Sequence, residues 1–307
     1  MKALRIHEFG TPSHAVLEDL APAIAGPDQA TVRIEAASVN PLDLKMLAGV
    51  MQPVFPVNFP YTLGTDFAGV IDTIDPHAVG FKLGDRVVGR LGASDGGAFA
   101  QSAAVPIGSL CRIPADMSFE QAAALPTSAG TAWQALFGAG KLVAGQRVLI
   151  HGAAGGVGSF AVQFAKQAGA RVIVTASSKN HGLAKELGAD EVIDYRHEDF
   201  SARLRDLDLV IDPVGGDTTE RSWSVLKPGG TLVSLVDPTI APRGDVNGVF
   251  VFFQGDTPVL QGIIKLFEAR RLQVILDTIH PLDEARAALE QVANGHARGK
   301  VIIRASR

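Results

Sequence analysis

Four glycines fall within the stretch HGAAGGVGSF, His151 to Phe160: Gly152, Gly155, Gly156 and Gly158. Two chemistries compete for so much bare backbone. The glycines either make a tight turn between two elements, or let a phosphate come close to main-chain N–H groups. The spacing departs from G-x-G-x-x-G because Ala153 and Ala154 intervene, so the flanking sequence must decide. A second polar group lies further on. Proteins that bind NADH place an Asp or Glu about 20 residues after the first glycine, where it holds the ribose 2′-hydroxyl. Here Val172 to Asn180 reads VIVTASSKN, with no acid and with Ser177, Ser178 and Lys179 instead. Hydroxyls and an ammonium suit a 2′-phosphate through charge-assisted hydrogen bonds, which favours NADPH over NADH. The same SSKN also reads as the cap of a following helix, since Ser is a good N-cap.

These groups need elements to hold them. RVLI before the turn has strand length, and GSFAVQFAKQAGA after it has apolar residues at helical spacing. The turn therefore leads into a helix N-terminus, with free N–H groups and a positive dipole for a pyrophosphate. RVIVTAS, EVIDY, LDLVIDPV and TLVSLVD continue as strands. KNHGLAKELGA and DTTERSWSVLKPGG alternate with them as helices, and TPVLQGIIKLFEARRL is one more. Such alternation predicts a parallel sheet with helices on both faces, a doubly wound α/β fold. The first 120 or so residues differ in texture. Short segments cut by Gly and Pro (ATVRIEAASV, FAGVIDTI, DRVVGRL, GAFAQSAAV) predict a β-rich, barrel-like domain. The tail IHPLDEARAALEQVANGHARGKVIIR predicts a helix and a strand that returns to it. The expected division is 1–122 with 273–307 for the β-rich domain and 123–272 for the dinucleotide domain.

With 307 residues, 47% of them apolar, the chain has material for two cores. Charges nearly balance, 28 basic against 32 acidic, and no basic run points to nucleic acid or a membrane surface. No apolar run nears the roughly 18 residues of a membrane span, and MKALRIHEFG lacks a signal-like apolar core, so a cytoplasmic protein is expected. The single cysteine, Cys111, leaves no internal disulfide and reads as a small core residue. The eight histidines are scattered singly, and His151 beside the glycine turn reads as strand-end packing.

VLIHGAAGGVGSFAVQFAKQAGARVIVTASSKN followed by LGADEVIDYRHEDF resembles the zinc-independent quinone oxidoreductase branch of the medium-chain dehydrogenase/reductase superfamily, which includes ζ-crystallin-like quinone reductases and alkenal/enone reductases. SVNPLDLKMLAG, LGTDFAGVI, KLGDRVVG, GGAFAQSAAVP, LPTSAGTAWQAL and the terminal GKVII follow in the family's order, so the resemblance spans almost the whole chain. It implies a GroES-like β-rich domain, completed by the C-terminal strand, and a Rossmann domain, with the active site in the cleft between them. It also implies an NADPH site built on Gly152, Ala154, Gly155, Gly156 and Val157, with Tyr195 joining Ser177 and Lys179 at the 2′-phosphate. Asn40 would face the nicotinamide region as the catalytic candidate, although before Pro41 it also reads as a turn residue. Thr131 would touch cofactor phosphate or ribose, and Val214, Gly215, Leu235, Phe250, Val251 and Phe252 the nicotinamide ribose and ring.

Zinc-dependent members of that superfamily carry a Cys after the first substrate loop, a Gly-His-Glu motif and a four-cysteine lobe. This chain has NPLDLKML, then Gly64-Thr65-Asp66, and no lobe. No metal site is therefore expected, and without a Lewis acid an alkoxide lacks its main electrostatic support. Hydride transfer to a small-molecule quinone or enone, which stabilises its own negative charge, is the expected reaction, catalysed by a chain expected to pair as a homodimer. An enoyl-thioester reductase of the same fold and a non-catalytic NADPH-binding sensor are the alternatives. The short-chain Tyr-x-x-x-Lys pair is excluded, because Thr65 and Asp199 stand four residues beyond Tyr61 and Tyr195.

Overall fold

Two units make up the chain, residues 1–127 with 255–307 and residues 128–254, in a computed structural model that describes residues 1–75, 77–253 and 255–305. Gly and Pro cut the first unit into short strands because each forces a turn within a few residues. In chain order these are β1 (Lys2–Ile6), β2 (Val16–Asp19), β3 (Gln29–Ser38), β4 (Tyr61–Thr62), β5 (Asp66–Ile74), β6 (Arg86–Arg90), β7 (Ser102–Pro106) and β8 (Leu110–Arg112). The second unit supplies β9 (Arg147–Ile150), β10 (Arg171–Ala176), β11 (Glu191–Asp194), β12 (Leu207–Asp212), β13 (Leu226–Ser234) and β14 (Asn247–Phe250). The chain then returns to the first unit with β15 (Leu276–Pro281) and β16 (Lys300–Arg304).

In the first unit the large sheet runs β15-β16-β3-β5-β6-β8, with β7 also on β3, and a small sheet runs β2-β1-β4. The tail thus returns as expected, and it does so with two strands. Ser38 at the end of β3 pairs with Ile302 of β16 on one side and with Asp66 of β5 on the other. That register brings the ends of three distant segments together and decides which polar side chains meet there.

The second unit is one parallel sheet in the order β11-β10-β9-β12-β13-β14, the Rossmann arrangement that the alternation predicts. Its strands are unbroken apolar runs because both faces are covered. On one face Ile173, Leu149, Val210 and Leu232 lie side by side in register. Phe200, Leu204, Leu207 and Val225 complete that core, with Trp223 packed against it. The helix Gly156–Gln167 packs on β9 and β10, burying Phe160, Phe164 and their small neighbours. Among the described residues no helix is long and apolar enough to cross a membrane.

Three features differ from the sequence reading. Residues 123–127 and 255–272, assigned there to the dinucleotide domain, belong to the first unit. Hydrogen bonds tie them there: Thr127 N–H and Oγ1–H donate to Asp66, Thr257 Oγ1 donates to the Gly108 carbonyl at 3.1 Å, and Arg270 pairs with Asp116 at 2.6 Å. The expected helix DTTERSWSVLKPGG is helical only over Asp217–Ser222 and a following turn, after which β13 begins at Leu226. The sixth strand of the parallel sheet, β14, has no counterpart in the sequence reading, because four residues bearing a glycine carry too little apolar signal.

Candidate functional site

Most of the residues singled out in the second unit stand just past the carboxyl ends of its strands: Gly152 after β9, Ser177 after β10, Tyr195 after β11, Val214 and Gly215 after β12, Leu235 after β13, and Phe250 to Phe252 at and beyond the end of β14. In an open parallel sheet that edge is where ligands bind. Thr131 is the exception, buried on the helix Pro126–Trp133.

Two of the four glycines are required by the turn itself. Gly152 has φ +61°, a left-handed conformation that side chains disfavour. A Cβ on Gly158 would lie 2.2 Å from the Gly152 carbonyl oxygen, so the helix reaches the turn only without one. The middle pair differs. Gly155 has φ −79°, and its Cβ would meet only that same carbonyl, at 3.3 Å. Gly156 opens the helix Gly156–Gln167 and is not among the positive-φ residues. Backbone conformation makes no demand for bareness at either position, whereas a phosphate against the first-turn N–H groups, which have no intrahelical acceptors, demands it. Gly155, Gly156 and Val157 are partly open to solvent, with Ala154 buried beneath them. The cradle fits a pyrophosphate.

His151 anchors the turn from below. Ser222 Oγ donates to the Thr218 carbonyl at 2.6 Å, so it accepts from His151 Nε2 at 3.0 Å. Nδ1 of the neutral ring then accepts from Thr175 Oγ1, also at 3.0 Å, and Thr175 Oγ1 in turn accepts the Gly152 N–H. Phe200 meets the imidazole edge to face, with centroids 4.7 Å apart. Burial pushes the ring's pKa down to about 4, against the opposing charge of Asp212. His151 is thus strand-end packing, as expected, with every polar atom satisfied.

β10 and β11 are parallel neighbours with Ala176 opposite Asp194, which brings Ser177, Lys179 and Tyr195 to one corner. Ser177 is buried and accepts from Asn180 Nδ2; Lys179 and Tyr195 are exposed. The sequence reading missed three members of this corner. Asp194 accepts from the Ser178 hydroxyl, from Arg196 N–H at 3.0 Å and from His197 Nδ1 at 3.1 Å. The Ser178 hydrogen bond foremost, then the Arg196 amide, holds its carboxyl below the usual range. The signal was the acid at the end of EVIDY, one strand beyond the one searched.

At the next corner Asp212, fully buried, accepts from Val214 N–H at 2.8 Å and Gly215 N–H at 3.0 Å. Its carbonyl takes Leu235 N–H at 2.9 Å, and Val251 N–H bonds the Ser234 carbonyl at 3.0 Å. Asp212 therefore shapes the loop carrying Val214 and Gly215, and the amides of both residues are already engaged.

In the first unit, Asn40 is 1% exposed and caps the helix Pro41–Leu47. Its Oδ1 accepts from Lys300 Nζ at 2.5 Å, and its Nδ2 donates to Asp66 Oδ2 at 3.0 Å. Lys300 Nζ also donates to the Val39 carbonyl. Asp66 further accepts from Thr127 N–H at 3.0 Å and Thr127 Oγ1 at 2.7 Å, with Arg90 Nε 3.8 Å away. Asn40 N–H donates to Asp43, whose carboxyl is pushed up to about 7 by burial and by the charge of Asp66. Burial lowers the Lys300 ammonium's pKa, opposed by Asp66 and Asp43. In this geometry both ends of the Asn40 amide are engaged within the cluster, by Lys300 and by Asp66. Cys111 is buried, and burial pushes its thiol up to about 12, which keeps it inert. Among the described residues no group of three or more His, Cys, Asp or Glu is placed to hold a metal.

Comparison with known proteins gives two family matches, the alcohol dehydrogenase GroES-like domain over residues 26–115 and the zinc-binding dehydrogenase family over residues 187–303. The chain is 32% identical to the chloroplastic quinone-oxidoreductase homolog of Spinacia oleracea, over 99% of this chain and 98% of that one. It superposes on the quinone oxidoreductase of Coxiella burnetii with a TM-score of 0.93 at 34% identity, covering 100% of this chain and 99% of that one. On the Escherichia coli quinone oxidoreductase complexed with NADPH the TM-score is 0.89 at 27% identity, covering 99% and 100%.

The two glycine classes separate experimentally. Gly158→Ala should melt well below the parent, by the equivalent of about 1–3 kcal/mol, because its methyl has no space. Gly156→Val should melt near the parent without ligand yet lose most of the thermal shift given by added NADPH. If Gly156→Val unfolds the protein while binding stays normal in the folded fraction, the middle glycines serve the turn alone. His151 makes a second prediction. Its folded pKa of about 4 lies below the ordinary 6.5, so in that window the unfolded chain binds more protons and stability is lost as the pH is lowered. Melting curves of the parent and His151→Gln between pH 7.5 and 4.5 should diverge, the parent losing up to roughly 3 kcal/mol more. Parallel curves would mean that the ring is not held neutral.

Proposed function

Because the chain belongs to the quinone-oxidoreductase family of medium-chain dehydrogenases/reductases, we propose that it is an NADPH-dependent reductase acting on a quinone or an α,β-unsaturated carbonyl compound without a catalytic metal. The observation that carries the reading is the Lys300 ammonium. It sits on Asn40 Oδ1 and, with Arg90 near Asp66, neutralises the cluster that includes Thr65 and Asp66 where zinc-dependent relatives have His and Glu. A metal dication there would have to displace cations already present, at a large electrostatic cost. Acceptors that delocalise their own charge are the ones such a site suits.

When bound, NADPH supplies the hydride. The residues of the second unit hold and orient it: the bare edge at Gly155 and Gly156 with Ala154 and Val157 for the pyrophosphate, and Ser177, Lys179 and Tyr195 for the 2′-phosphate. Thr131 is our assignment for a cofactor phosphate or ribose, and Val214, Gly215, Leu235 and Phe250 to Phe252 for the nicotinamide ribose and ring. The E. coli relative's complex with NADPH supports this cofactor. In the first unit Asn40 acts as a positioning residue, joining Lys300 to Asp66. We further propose a homodimer, for which β14, last in the order of the parallel sheet, offers an edge, working in the cytoplasm, although the spinach relative is described as chloroplastic.

NADPH oxidation followed against quinones, alkenals, enones and crotonyl thioesters, before and after exhaustive chelation, tests the proposal. Turnover should be fastest with a quinone or an enone and unchanged by chelation. Activity lost on chelation and restored by zinc alone would overturn the metal-free reading. Preference for the thioester would make the protein an enoyl-thioester reductase, and no turnover with any acceptor would leave a nucleotide-binding protein without this chemistry.

A further inference from the structure

The corner at the ends of β10 and β11 holds a negative charge where a 2′-phosphate is expected. Asp194 is 6% exposed and stands opposite Ala176, directly beside the chain that leads into Ser177, Ser178 and Lys179. It accepts a hydrogen bond from the Ser178 hydroxyl, so that hydroxyl is committed inward and is not a donor to a phosphate. Glu198 adds a second carboxylate by accepting the Asp194 N–H at 3.2 Å. Against these stand the Lys179 ammonium, the Arg196 guanidinium 5.9 Å from the Tyr195 ring centroid, and His197, whose Nδ1 lies on the same Asp194 oxygen as the Ser178 hydroxyl. The corner is therefore of mixed sign.

We propose that Asp194 is a specificity-determining residue that restrains the preference for the 2′-phosphorylated nucleotide. It repels the phosphate of NADPH and offers an acceptor to the free 2′-hydroxyl of NADH, the task that an acid at the end of the second strand performs in NADH-specific proteins. Here the acid is supplied by the third strand and is held in check by Ser178. The protein then uses both dinucleotides, with NADPH ahead by a modest factor. This rests on the assignment of Ser177, Lys179 and Tyr195 to the 2′-phosphate.

The test needs no turnover. Calorimetric titration of 2′,5′-ADP and 5′-AMP into the full-length protein, at low and at high salt, compares the parent with Asp194→Asn and Lys179→Met. Asparagine removes the charge and keeps one acceptor oxygen for the Arg196 amide, while its Nδ2 replaces the Oδ2 that accepts from Ser178 and His197, so the salt-dependent part of the change is the part that reports the charge. Asp194→Asn should raise the preference for 2′,5′-ADP over 5′-AMP by about three- to tenfold at low salt, and by less at high salt, where surface charges are screened. Lys179→Met should lower that preference by a similar factor. A preference unchanged in Asp194→Asn, including a case where both ligands weaken together because the turn has loosened, overturns the role of Asp194 alone. A Lys179→Met variant that binds 2′,5′-ADP as the parent does overturns the placement of the 2′-phosphate, and the proposal with it.

Discussion

The carbonyl of Gly152 leaves no room for a side chain on Gly158, and that close approach governs how β9 passes into the helix behind it. Because the helix begins so near the strand end, its first N–H groups emerge at the carboxyl edge of the sheet. His151 and Thr175 hold the turn from inside the core, through hydrogen bonds that run from Ser222 to the Gly152 amide. The bare edge at Gly155 and Gly156 is then left facing outward. Backbone geometry and close packing account for Gly152 and Gly158, and our proposal gives Gly155 and Gly156 to the ligand.

Parallel register does the rest within the second unit. Since neighbouring strands end together, residues far apart in sequence arrive at one edge: Ser177 with Tyr195, and Val214 with Leu235. Buried carboxylates then shape the loops beyond the strands, Asp212 by capping the amides of Val214 and Gly215 and Asp194 by folding the turn at Arg196 and His197. In the first unit a different device operates. Lys300 and Asp66 are buried charges that must be compensated, and the Asn40 amide bridges them. Three segments, from the end of β3, the start of β16 and the start of β5, are tied together by that bridge.

Much of this was legible in the residue pattern. RVLI, RVIVTAS and LDLVIDPV are apolar on both faces and could only be buried parallel strands, and the glycine turn was credible because a strand and a helix flank it. The helix Thr257–Glu268 was legible as a helix, yet its unit was not, since amphipathic spacing says that a face is buried and never against what. β14 is too short to register. At the site, the strand-end residues could be named from type and position, but the partners of Asn40 could not. Lys300 lies 260 residues away in the chain, and only sheet register brings it to Asn40. Asp194 escaped because the rule for the ribose acid looks at the second strand, while the neighbouring strand end is equally near in space.

We propose that the dinucleotide lies along the carboxyl edge of the parallel sheet, with its pyrophosphate on the main chain of the glycine turn. Hydrogen exchange of the backbone amides, measured with and without NADPH, tests it most directly. Slowed exchange confined to Gly155–Gly158 and to the strand-end segments at Ser177–Lys179 and Tyr195–His197 is the predicted pattern. Protection that leaves the Gly155–Gly158 amides unchanged while appearing elsewhere would contradict the account.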